Sequence, residues 1–245
     1  MKMRLRPVLR YELRDMALGC LPFFGVMTLI VLIAAYVNSR YQANVSFTAY
    51  GFTFAICLFV YGIVSPRACL RLCAQLGVSR RTGFVCCLAA ALCTALLLSL
   101  GGELLQAMGS ALGGAQSVQL SDMYQMIYAQ DGGAPALSLH GLSFVFNASL
   151  MLALFCGGMF FTFLFWRLSR FWTVVAALAI PVVINGAAFL AYRSAAVARA
   201  VSAVFAWGLS SVWNAVAAFL ALAVVLAAID WLLVRRANVR ASGSR

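Results

Sequence analysis

Long apolar blocks separated by short polar connections set the rhythm of this chain. The blocks run from about Met16 to Val37, Phe47 to Val64, Phe84 to Met108, Ser143 to Trp166, Phe171 to Tyr192 and Ser211 to Val234. Each is long enough to cross a hydrocarbon layer of about 30 Å at about 1.5 Å of helix rise per residue. The pattern predicts an all-α integral membrane protein of about six transmembrane helices in a single transmembrane domain over residues 1–245. One long polar segment, 109–142, interrupts the rhythm between the third and fourth spans.

Composition agrees with lipid as the solvent. Of 245 residues, 64% are hydrophobic and only 10% charged, too few charges to cover a water-facing surface of this size. The formal net charge of +12 comes from short clusters between apolar blocks, where membrane topology places basic residues, so a nucleic-acid partner is not expected. Lys2, Arg4, Arg6, Arg10, Arg14, Arg67, Arg71, Arg80, Arg81, Arg167, Arg170, Arg235, Arg236, Arg240 and Arg245 fall on one side of a six-span topology. Arg40, Arg193 and Arg199 fall on the other. The imbalance predicts cytoplasmic N- and C-termini. Residues 1–15 precede an apolar run too long for a signal peptide, so the first span reads as a retained helix.

Chemistry-bearing residues are sparse. His140 is the one histidine, in the outer segment, and reads as a loop residue. Glu12 and Asp15 are expected to face water, Asp122 and Asp131 to lie in the outer segment, and Glu103 near the outer boundary. Asp230 is expected within reach of Arg235 or Arg236. This leaves no charge near the membrane centre to carry a coupling ion. There is no phosphate-cradling Gly-x-x-x-x-Gly-Lys-Ser/Thr loop. Ser210 in Gly208-Leu209-Ser210 has no histidine or lysine in any span to activate it. The chain is therefore not expected to be an enzyme or to bind a cofactor or metal itself. Cys69 and Cys73 share a helical face but have no histidine or carboxylate nearby in sequence, and read as small apolar filler.

Three segments stand out. At the N-terminus, Pro7 starts a predicted amphipathic helix on the inner surface, with Leu9, Leu13 and Met16 on one stripe. Arg6, Arg10 and Arg14 form the next stripe, placed to reach lipid phosphates. The connection between spans two and three predicts a helix continuing past Pro66 and stopped at Gly77. The next helix is then capped by Ser79. Leu76 and Val78 would form an apolar tip ringed by arginines, suited to docking a partner or, if it only anchors, to anionic headgroups. In the fifth span Pro181 frees a carbonyl and Asn185 lies one turn on, either bonding backbone or a neighbouring helix or facing a translocation path. The stretch 118–128 predicts a helix on the outer surface, with Val118, Met123, Met126 and Ile127 on one side.

The basic N-terminal helix, the six spans and the loop Leu76-Gly77-Val78-Ser79-Arg80-Arg81 before span three resemble the membrane (permease) subunit of type-2 ATP-binding-cassette (ABC) transporters. The resemblance covers most of the chain in layout, with the loop as its local motif. It implies an exporter in a bacterial plasma membrane, moving a peptide, drug-like or lipid-like substrate with ATP bound and hydrolysed on a partner subunit. It also implies a cytoplasmic ABC ATPase meeting Leu76 to Arg81 and the N-terminal helix, and a second membrane half as homo- or heterodimer. Short helices folded back before the last span, here Ala195 to Trp207, belong to the same expectation. The long polar segment 109–142 is less typical of that family. Two alternatives remain: a substrate-capturing membrane subunit of a vitamin-uptake complex, which needs an outward polar pocket, and a non-transporting scaffold.

Overall fold

The computed structural model describes residues 5–41, 45–48, 50–113, 118–128, 137–167 and 195–235, with isolated positions between 168 and 194. In chain order these form α1 (Leu5–Tyr41), β1 (Val45–Thr48), α2 (Tyr50–Gln75), α3 (Arg80–Gly113), β2 (Val118–Ser121), α4 (Met123–Tyr128), α5 (Leu137–Arg167), α6 (Ala195–Leu209) and α7 (Val212–Arg235). The protein is helical, and five of the described helices (α1, α2, α3, α5 and α7) are long and apolar enough to cross a membrane. The predicted span 171–192 lies almost wholly outside the described residues.

The helices overrun the apolar blocks that announced them, because helix ends are set by caps rather than by hydropathy. α2 continues through Pro66 to Gln75 and α3 runs on to Gly113. The N-terminal segment is helical as expected, but it is continuous with the first span instead of turning at an elbow. Its buried positions are Val8, Glu12, Met16 and Cys20; Met16 belongs to the predicted stripe, and Leu9 and Leu13 are half-buried against the core beside it. Successive positions at i+4 keep one face toward α2 and α3. Glu12 therefore points inward, not to water, and accepts a hydrogen bond from Ser65 Oγ at 3.0 Å.

α5 sits at the centre, packed on α2, α3 and α7, while α1 lies mainly along α3. α2 and α5 approach backbone to backbone. A Cβ on Gly62 would overlap the Phe155 carbonyl, and one on Gly158 would overlap the Phe59 carbonyl. With no side chains between them, the two backbones touch directly, a common solution where lipid supplies no hydrophobic drive between helices. Pro66 follows Gly62 by four residues, so its ring deprives that carbonyl of its helical donor. Ala215 and Ala223 of α7 are buried, whereas Ala217 and Ala221 are exposed.

The segment 109–142 departs most from expectation. In place of one surface helix over 118–128, β2 pairs in parallel with β1, Val45 opposite Val118 and Thr48 opposite Ser121, and only then does α4 begin. The pairing joins two connections far apart in sequence, which hydropathy along one segment does not reveal.

Candidate functional site

Two places gather polar side chains, one at each end of the bundle. The first is the α2–α3 hairpin, and its geometry follows from four residues. Gly77 has φ of +65°, the left-handed conformation glycine adopts without penalty. Val78 N–H donates to Cys73 O at 2.8 Å and Gly77 N–H to Ala74 O at 3.3 Å, the paired bonds of a Schellman ending. Two residues later Ser79 Oγ accepts from Thr82 N–H at 3.2 Å and starts α3. The predicted stop and cap are thus both in place, and the turn is confined to Leu76, Gly77, Val78 and Ser79.

Only part of the predicted apolar tip faces outward. Leu76 is 61% exposed, but Val78 is half-buried and packs on the core. Arg80 and Arg81 are both exposed, and the Arg81 guanidinium lies over the Trp231 ring of α7, 5.7 Å from its centroid. Trp231 also packs on Phe84 at 5.5 Å, so the end of α7 is tied to the start of α3. Nearby, Arg67 reaches over Trp166 and donates to Thr162 O at 3.3 Å. Arg10 and Arg14 are exposed at this end, and the Arg6 side chain lies outside the described residues. Below the turn, Cys69 and Cys73 are buried, and Cys69 Sγ donates to Gly83 O at 3.7 Å.

Asp230 breaks an expectation here. It is fully buried and, among the described residues, neither carboxylate oxygen has a hydrogen-bond partner. Arg235 is exposed and makes no ion pair with it, and Arg236 lies outside the described residues. On α7, Asp230 shares a face with Ala223 and Val234, which directs it at α5 and away from the helix end.

The second place is the opposite end, where local sequence signals are few. Asp122 is fully buried, not solvent-exposed. Its carboxylate accepts from Met123 N–H at 2.7 Å, Ser143 Oγ at 3.2 Å and Asn147 Nδ2. The backbone N–H of Gly51 donates to it as well. Burial pushes the Asp122 carboxyl above the usual aspartate range, and the donors from Asn147, Met123, Ser143 and Gly51 oppose that rise. Beside it, Tyr50 OH donates to Gln106 Oε1 at 3.3 Å and lies in electrostatic reach of Asp122 and Glu103. His140 is no lone loop residue: its Nδ1 is 2.7 Å from Glu103 Oε2. Buried oxygens of Asn147 (Oδ1) and Glu103 (Oε1) are left without partners.

One sequence signal for this cluster does exist. Asp122-Met-Tyr-Gln125 has the spacing of a capping box, and Gln125 Oε1 accepts the Asp122 N–H at 3.3 Å. Of the fifth-span candidates, Asn185 is exposed, and Pro181 lies outside the described residues. Comparison of the chain with protein-family models, with curated proteins and with solved structures gives no match.

Proposed function

We propose that this protein is the permease subunit of an ABC exporter, driven by a separate cytoplasmic ATPase that docks on the α2–α3 hairpin. The observation that carries the reading is the hairpin tip. A fixed, four-residue turn holds an exposed Leu76 beside exposed cations, on a helix pair anchored in the bundle. An apolar anchor ringed by charge is the usual build of a protein-docking hot spot. The exposed Arg10 and Arg14 of α1 extend the same basic end. A second membrane half, in the plasma membrane, completes the assembly, and ATP stays on the partner. Cargo in this reading is a peptide, a drug-like amphiphile or a lipid-linked molecule.

One observation favours the rival reading of a substrate-capturing uptake subunit. Tyr50, Gln106, Asp122, Ser143 and Asn147 form the buried polar cluster at the outward end that such a subunit needs. The hairpin reading leads because the polar groups of that cluster are largely satisfied by one another.

Purification in mild detergent separates the two. A soluble ATPase recovered in stoichiometric amount, and lost in Leu76→Asp with the variant still inserted and monodisperse, is the expected result. Retention of the ATPase by Leu76→Asp removes the docking assignment. A small molecule recovered with the chain in place of any ATPase selects the uptake reading. Arg80→Glu combined with Arg81→Glu is expected to abolish docking as Leu76→Asp does.

A further inference from the structure

The polar segment between α3 and α5 is paired to β1 along β2 and is held by side chains at two further, separated points. At its near end Asp122 is sunk between the start of α2 and the first turns of α5, bonded to Gly51, Ser143 and Asn147. Gly51 is needed there, since a Cβ would strike the Asp122 carboxylate. At its far end the Tyr128 hydroxyl lies 3.4 Å from both the Gly208 and the Ser211 carbonyls, in the turn joining α6 to α7. Between these points Tyr124 and Tyr128 rest on Phe146 of α5, with ring centroids 6.0 and 6.1 Å away. Phe146 in turn packs on Phe219 of α7 at 5.5 Å. The line of contact therefore crosses the outer seam between α5 and α7.

We propose that β2 and α4, residues 118–128, form a strap that closes the outer end of the bundle, pinned at Asp122 and Tyr128, and that it lifts as one unit. The capping box makes Asp122 part of α4 itself, so the near pin and the short helix cannot part without breaking the helix start. A six-residue helix has too few internal bonds to persist once detached. Loss of either pin is therefore felt along the whole strap. When it lifts, Tyr50, Gln106 and Asn147 gain water access. The titratable groups around the near pin are Tyr50 on α2, Glu103 on α3 and His140 on α5. The strap's closure does not depend on what the inner hairpin docks.

Amide hydrogen exchange of the full chain in lipid nanodiscs tests this, because exchange reports local opening. Tyr128→Phe removes one hydroxyl and is expected to speed exchange about three- to fivefold at every measurable amide of 118–128, including those beside Asp122. Asp122→Ala is expected to speed the same amides more, by about tenfold or beyond. Amides of the α2–α3 hairpin, 70–84, serve as the folding control and should not change. Acceleration confined to the mutated end in either variant overturns the strap as a unit. So does an unchanged rate in Tyr128→Phe, which decides the matter alone if Asp122→Ala fails to fold.

Discussion

Two buried aspartates carry opposite consequences, and partners make the difference. Asp122 has donors on every side, yet burial still raises its carboxyl above the ordinary value. A group whose folded pKa is raised holds its proton more tightly in the folded state. Its contribution is full below the unfolded aspartate value of about 3.9 and declines as pH climbs toward the raised value. The native protein should therefore lose strap protection with rising pH across that window. Asp122→Asn, which cannot ionise, should show a flat profile in the same exchange measurement. Asp230 has no donor at all among the described residues. A buried polar group without a partner costs about 1–3 kcal/mol, so Asp230→Leu is expected to raise the thermal midpoint in detergent. A lowered midpoint would mean that a cation outside the described residues pairs with it.

Among the elements, the α2–α5 crossing depends on two missing side chains. Gly158→Ala should destabilise by about 1–3 kcal/mol, since the new methyl has only backbone to push against. Gly25→Ala in α1 meets nothing within 4 Å and should instead stabilise, by up to about 1 kcal/mol, through helix propensity. Thermal unfolding of the two variants, read for opposite signs, checks the crossing. The turn between α2 and α3 was legible from sequence because each of its residues acts locally: Gly77 by its φ, Ser79 by its hydroxyl. The crossing was not, because Gly62 and Gly158 matter only to each other. The β1–β2 pair was hidden for the same reason. So was the inward turn of Glu12, which depends on a serine on another helix.

For the whole molecule, hydropathy and length located the five described long helices, since burial in lipid is a property of a segment by itself. They did not locate the polar cluster at the end opposite the hairpin, which is assembled from α2, α3, α4 and α5 by tertiary packing. The capping-box spacing at Asp122 was its only local trace. Pro66 in α2 bears on how far the hairpin tip can move. It removes the usual helical donor of the Gly62 carbonyl at the level where α2 bears on Gly158. Taken as pivoting on the glycine contact, the stretch from Gly62 to Gln75 would be a lever arm of about 20 Å. A tilt of about 10° there would carry Leu76 through roughly 3.5 Å, about two residues of helix rise.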